Sequence, residues 1–321
     1  WRGLARLACR WLRSVAAKMG VRTEDSDPSP AVELRKLSGI LPEHDQLLDA
    51  LGDILEAERR EHGIEEIPST ARLREEGWRL GTDYPGIRAH ITLLESCMER
   101  YPELLRGEMA PSEVMFPGGR GSLREGAYGG ETVTRHVNLL VAHAVRRFVR
   151  HRIATDQDSV RILEIGAGTG AATEEILRAL GDDISNVAYG FTDVSAQFVN
   201  QAQNRLGSKY PRMTFDVLDI ERDLATQGWR RNSCDLVVAT NTLHATSDVA
   251  VSVGHVHELL RPDGWLVLNE STRVHDCTTL TFGLFQDWWR DRDRHRCLSN
   301  APMLGRRAWL DVLSATGVGS S

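Results

Sequence analysis

The stretch from Val160 to Gly170, Val-Arg-Ile-Leu-Glu-Ile-Gly-Ala-Gly-Thr-Gly, constrains the fold of this chain more than any other. Val160, Ile162, Leu163 and Ile165 make a short apolar run, glycines follow at every second position, and Ala171 to Leu180 continues with helical spacing. The pattern predicts a buried strand, a tight turn and a helix. Gly166, Gly168 and Gly170 lack a Cβ, so the turn accepts positive φ and a ligand can lie against bare backbone. Together with Ala167 they form a candidate cofactor cradle.

Two cofactor classes compete for such a turn. Gly166, Gly168 and Ala171 fit the G-x-G-x-x-G/A of a dinucleotide fold. Glu164, two residues ahead of the first glycine, would repel a pyrophosphate there but attract the positive amino group of S-adenosylmethionine (SAM). The residues favour SAM over a nicotinamide cofactor, and a bland glycine turn stays open beside both.

The rest of the composition narrows the class. With 321 residues and 41% apolar content the chain can bury a sizeable core, as one large domain or a domain plus an appendage. A net charge of -6 from 39 basic and 45 acidic residues leaves no global basic footprint, so nucleic acid is not an expected partner. Cys9, Cys97, Cys234, Cys277 and Cys297 lie far apart with no C-x-x-C, which argues against a disulfide framework or a zinc knuckle and for a cytoplasmic setting. No apolar run approaches the ~18 residues of a membrane span. The chain opens on Trp1 and closes on Gly319-Ser320-Ser321, which reads as a piece of a longer polypeptide, truncated at its C-terminus.

Trp1 to Met19 sets Leu4, Leu7, Trp11, Leu12 and Val15 near helical spacing between five basic residues. Such a helix can lie on a membrane surface, but packing against this or a neighbouring domain is the favoured reading. Past the Ser26 to Pro30 linker, helices are expected over Ala31 to Leu37, Glu43 to His62 and Gly86 to Arg100. Residues 1–115 thus read as a small helical subdomain. Residues 116–155 read as a glycine-rich loop, with Tyr128 in it, that suits a lid or equally an ordinary surface connection, and a connecting helix over Thr134 to Arg150. Residues 156–321 form the cofactor-binding core, with further strands over Val187 to Phe191, Met213 to Leu218, Cys234 to Thr240 and Trp265 to Asn269. Strands alternating with helices predict a mostly parallel α/β sheet covered on both faces.

Ligands in such sheets bind at the carboxyl ends of strands, where the candidate residues fall. Asp193 ends the second strand, placed to accept both ribose hydroxyls, with Val194 beside it; it also suits a helix cap, as does Ser195. Asp219 ends the third, placed to accept from the adenine amino group, with Ile220 against the ring. Asn241 follows the fourth strand within Asn-Thr-Leu-His-Ala-Thr, and Glu270 follows the fifth. His244 and Glu270 are expected to meet as a general base whose ring is held by a carboxylate. Aligning a nucleophile with an activated methyl group requires no metal. His255 and His257, two apart on a helix, point to different faces. The aromatic run Phe282 to Trp289 suits core packing or the wall of an apolar tunnel.

Between Glu108 and Gly317 the chain resembles the methyltransferase domains embedded in modular polyketide synthases. The resemblance rests on Val-Met-Phe-Pro-Gly-Gly at 114–119, Leu-Glu-Ile-Gly-Ala-Gly-Thr-Gly at 163–170, Phe-Thr-Asp-Val-Ser at 191–195, Leu-Asp-Ile-Glu at 218–221, Asn-Thr-Leu-His-Ala-Thr at 241–246, Leu-Asn-Glu at 268–270 and Leu-Thr-Phe-Gly-Leu-Phe-Gln-Asp-Trp-Trp at 280–289. It implies a Rossmann-like class I SAM-dependent methyltransferase sheet, with S-adenosylhomocysteine as product. It further implies a substrate tethered by phosphopantetheine to an acyl carrier protein, neighbouring synthase domains, His244 and Glu270 as the base, and Tyr128 near the active site. Members methylate the β-oxygen of the acyl chain or the α-carbon of a β-ketoacyl thioester. A helical section that reads as short for a carbon-methylating relative leans the expectation towards oxygen, by analogy, with carbon as the alternative. A catalytically silent scaffold domain is the competing reading from another class.

Overall fold

The computed structural model describes residues 1–21, 29–63, 66–115, 132–155, 159–290 and 297–319, in two compact units. The lid-loop expectation over residues 116–131, Tyr128 included, lies outside the described residues.

The first unit comprises Trp1–Thr132 with Arg273–Arg290 and Leu298–Pro302, and it is helical. Its core starts with helix Arg2–Lys18, where Leu4, Leu7, Ala8, Trp11, Leu12 and Val15 recur at intervals of three and four and are all buried. Each leucine of that stripe contributes roughly 1.5–3 kcal/mol on burial. The apolar face of this helix is therefore spent inside its own unit, against Leu47, Leu51, Leu73 and Leu94, which settles the choice between packing and a membrane surface. Among the described residues no helix is long and apolar enough to cross a membrane. Arg13 enters the interior with its stem buried and its guanidinium 3.5 Å from the equally buried Glu58.

Helices Asp45–His62 and Arg88–Glu99 form near their expected positions. Helix Thr70–Asp83 has no counterpart in the sequence reading. Its interior holds Gly77 and Gly81, poor helix formers, and its Trp78 is exposed, so no apolar stripe announces it. The glycines serve packing instead: a Cβ on Gly77 would stand 3.0 Å from Ile91 Cγ2 on the neighbouring helix. Segment 273–290, grouped by sequence order with the core, belongs to the helical unit because Cys277, Leu280 and Leu284 are buried in that unit's apolar cluster. The aromatic run takes the same side: Phe282, Phe285 and Trp289 pack on the cluster, and Trp289 Nε1 donates to the Gly283 carbonyl at 2.8 Å.

The second unit, Val133–Thr272 with Asp291–Cys297 and Met303–Ser321, is the α/β core. Its strands are β1 (Val160–Ile165), β2 (Val187–Asp193), β3 (Met213–Val217), β4 (Cys234–Thr240) and β5 (Leu260–Asn269), all parallel, in the order β3-β2-β1-β4-β5. The Arg261 to Gly264 turn is an excursion within β5: Cys234 pairs with Leu260 and Leu236 with Trp265, and Asp263 takes φ 65°. On one face Ile162, Tyr189, Phe191 and Val238 meet helices Thr132–Ala154, Ala171–Leu180 and Ala196–Leu206. On the other, Leu163, Ile165, Val237 and Ala239 meet helices Val249–Leu259 and Arg306–Ala315. Strand order reverses direction between β1 and β4, which makes their carboxyl ends the switch point where a doubly wound sheet opens a crevice.

Candidate active site

Both loops at that switch point have unusual backbones fixed by side chains. After β1, Gly166 and Gly168 take φ 61° and 56°. A Cβ on Gly166 would fall 1.8 Å from Thr242 Oγ1, whereas one on Gly168 would meet no heavy atom of the described residues within 4 Å. Gly168 thus borders open space with bare backbone. The turn is tied to β2, since the Ala167 N–H donates to the Thr192 carbonyl and the Gly168 N–H to Asp193 Oδ2, each at 2.9 Å.

Asp193 is buried, and its Oδ1 accepts the Ser195 N–H at 2.8 Å. Each carboxylate oxygen keeps a lone pair, so the residue braces the turn and can still accept from a diol. Val194, next to it, is 66% exposed, leaving apolar surface at the strand end. Asp219 Oδ1 accepts the Glu221 N–H at 3.0 Å. Ile220 lies in the core with Leu218 and Leu224, and its carbonyl accepts from His255 Nδ1 at 2.7 Å.

Glu164 is fully enclosed at the end of β1. Its Oε2 accepts the hydroxyls of Thr173 and Tyr189, both at 2.6 Å. Its Oε1 is buried and has no hydrogen-bond partner among the described residues. Burial pushes this carboxyl up to about 7, with the two hydroxyl donors opposing the shift. An unpaired buried carboxylate oxygen is costly, and an ammonium donor reaching it would remove the cost. The orphaned oxygen, the open face of Gly168 and the strand-end Asp193 fit SAM: Glu164 for its amino group, the glycines for its backbone-like chain, Asp193 for its ribose.

After β4 the chain turns through Asn241 at φ 52°, whose N–H donates to the Asn269 carbonyl at 2.6 Å and whose Oδ1 accepts the Ser271 hydroxyl at 3.1 Å. The left-handed residue, a conformation asparagine tolerates, throws the next two N–H groups towards β5. Glu270 Oε1 receives both, from Thr242 at 3.0 Å and Leu243 at 2.8 Å. Its Oε2 lies 2.6 Å from His244 Nδ1. The side chains of His244 and Glu270 are 8% and 2% exposed. Three donors converge on one carboxylate, which fixes the ring proton on Nδ1 and leaves the Nε2 lone pair to act as a base.

Two residues to which the sequence assigns no role hold these loops. Gln227 clamps the Asp219 backbone, accepting its N–H at 3.0 Å and donating to its carbonyl at 2.9 Å. Glu221 Oε2 accepts the Ser247 N–H at 3.0 Å and the Ser247 hydroxyl, joining the loop after β3 to the loop after β4. A polar residue in a loop gives no local sign of such a partner. Among the described residues no group of three or more His, Cys, Asp or Glu is arranged to hold a metal ion.

A family model described as a methyltransferase domain matches residues 163–266, from within β1 to within β5. The fold and the cradle are those of a SAM-dependent methyltransferase. The solved DszA carbon methyltransferase is 32% identical, with TM-score 0.88 over 98% of this chain and 82% of that one. The CurJ carbon methyltransferase is 30% identical, with TM-score 0.82 over 98% and 84%. Polyketide synthase ThaQ of Burkholderia thailandensis is 36% identical over 233 residues, 72% of this chain. The chain belongs to the SAM-dependent methyltransferase domains of polyketide synthases. It spans 11% of the length of ThaQ. The nicotinamide and bare-turn alternatives fall away with these matches.

Proposed function

We propose that this chain methylates the α-carbon of a β-ketoacyl thioester borne on the phosphopantetheine arm of an acyl carrier protein, with His244 as general base and Glu270 as the group that orients it. The observation that carries the base assignment is the Glu270 carboxylate, held by two backbone N–H groups and the His244 ring. His244 Nε2 takes the proton from the carbon between the two carbonyls, and the electron pair left behind is shared by both carbonyl oxygens. Glu270 balances the charge that the imidazole gains. When bound, SAM supplies a methyl carbon already activated by its positive sulfur. Glu164, Asp193 and the glycine backbone hold that donor while Nε2 removes the proton.

Carbon is favoured over the oxygen that the sequence reading preferred. The expectation of oxygen rests on analogy alone, whereas the DszA and CurJ structures, 32% and 30% identical to this chain, are both carbon methyltransferases. Neighbouring synthase domains as partners and a cytoplasmic setting, consistent with five free cysteines, belong to the same proposal.

The test is mass spectrometry of a carrier-bound β-ketoacyl and a matched β-hydroxyacyl substrate, each incubated with the domain and SAM. Gain of one methyl by the ketoacyl species alone is expected. Methylation of the hydroxyacyl species alone would restore the oxygen reading, and no transfer to either, with SAM bound, would restore the silent scaffold.

A further inference from the structure

The three glycines of the cofactor turn are not equivalent, and the difference links the donor site to the base. Where a side chain on Gly168 would project into open space, the place of a side chain on Gly166 is already occupied: Thr242 Oγ1, Cβ and Cγ2 would lie 1.8, 2.7 and 3.0 Å from it. Thr242 is also the residue whose N–H donates to Glu270 Oε1 at 3.0 Å, and Glu270 in turn holds His244 Nδ1 at 2.6 Å. The contact falls where β1 and β4 run side by side, with Ile165 opposite Ala239.

We infer that Gly166 is a positioning residue for the His244–Glu270 pair: its missing side chain is the seat of Thr242, and seating Thr242 aims the N–H that orients Glu270. The inference rests on the base reading of that pair. Thr242 has little freedom to yield, because Asn241 before it is held left-handed by the Asn269 carbonyl and the Ser271 hydroxyl. A methyl group on Gly166 must therefore move the Thr242 backbone, and a shift of about 1 Å in an aligned site costs on the order of 100-fold in rate. On Gly168, at φ 56°, the same methyl group strains the turn and enters the ligand's space but meets no atom of the described residues within 4 Å.

The experiment compares Gly166→Ala, Gly168→Ala, Thr242→Gly and the Gly166→Ala/Thr242→Gly pair in the whole domain. SAM affinity is read by calorimetry, turnover at saturating SAM, and the His244 ring Nδ1 proton by NMR, assigned by its loss in His244→Ala. Gly166→Ala is expected to lower kcat at saturating SAM about 100-fold, to weaken SAM less than Gly168→Ala does, and to shift or abolish the Nδ1 proton signal. Gly168→Ala is expected to weaken SAM with the signal intact. The pair should recover the signal and come within a few fold of Thr242→Gly alone. An unchanged Nδ1 signal in Gly166→Ala, or no recovery in the pair, overturns the inference. If Gly166→Ala alone does not fold, recovery of folding and signal in the pair supports the inference and their absence overturns it. Full turnover by His244→Ala would instead sink the base reading, and the seating of Thr242 would still be decided by the signal.

Discussion

Glu270 faces His244 across 2.6 Å with its second oxygen already committed to two backbone N–H groups. A glutamine at 270 can keep its oxygen on the backbone donors only by turning its NH2 towards the ring. Nδ1 would then have to accept, the ring proton would move to Nε2, and the basic lone pair would be lost from the substrate side. Glu270→Gln is therefore expected to slow turnover by a factor similar to His244→Ala, about 10²–10⁴, with SAM affinity within a few fold of the parent in both. Single-turnover kinetics with calorimetry checks this. A Glu270→Gln variant that turns over like the parent would refute the tautomer argument.

The proposed contact between the buried Glu164 and the amino group of SAM predicts binding that depends on pH in the acidic range. Its carboxyl sits at about 7 against an ordinary 4.5, chiefly through burial. Folding therefore takes up a proton between those two values, so this group's contribution to stability is greatest at acid pH and is lost as pH rises through about 7. On the proposed placement of the SAM amino group at Glu164, binding runs the other way, because that group would pair with the ionised form. Affinity is expected to tighten as pH rises from about 5.5 to 7, and Glu164→Gln should bind more weakly with that rise removed. Calorimetric titration across the range decides it; a parallel rise in both proteins would assign the dependence to another group.

The α/β core was legible because its signals are local. Ala171–Leu180 and Cys234–Thr240 fall at their expected residues, and Glu164, Gly168, Asp193, Asn241, His244 and Glu270 all fall at or beside strand ends. What the sequence could not show is set by partners far along the chain. Helix Thr70–Asp83 is polar and glycine-bearing, and its Gly77 lies close against Glu95 and Ile91 of a helix further along the chain. Residues 273–290 follow β5 in order yet bury Cys277, Leu280 and Leu284 among helices that begin at Arg2. The turn-bracing work of Asp193, the clamp by Gln227 and the Glu221 link to Ser247 depend likewise on loops meeting in space.

Asp193 has two tasks that substitution can separate. Its Oδ2 holds the Gly168 N–H and its Oδ1 the Ser195 N–H, so Asp193→Ala removes the brace of the cradle along with any acceptor for the ribose. Asp193→Asn keeps one oxygen acceptor and sets an NH2 against a backbone donor. Both are expected to weaken SAM, Asp193→Ala by at least about tenfold, since two charge-assisted hydrogen bonds are each worth roughly 1.5–3 kcal/mol. An analogue lacking the ribose hydroxyls separates the tasks: if the residue only braces the turn, Asp193→Ala weakens this analogue as much as it weakens SAM. A smaller loss for the analogue marks the direct contact.

Gly52 gives a stability prediction confined to the helical unit. It lies in helix Asp45–His62, where a Cβ would come within 2.4 Å of Ala31 Cβ, 2.7 Å of Ala31 Cα and 2.8 Å of Ala31 N. These are largely backbone atoms of helix Pro30–Arg35, which no rotamer change can move aside. Gly52 is buried and helical, so alanine would gain about 1 kcal/mol of helix propensity at an open site. Here overpacking, which costs typically 1–3 kcal/mol, opposes and exceeds that gain, because the two helices must part. Gly52→Ala is thus expected to lower the denaturation midpoint, whereas Gly254→Ala, in a helix with no atom within 4 Å of the added methyl group, should raise it slightly or leave it unchanged. Equal stabilisation of both variants in chemical denaturation would show that the approach of Ala31 to Gly52 is not a packed contact in solution.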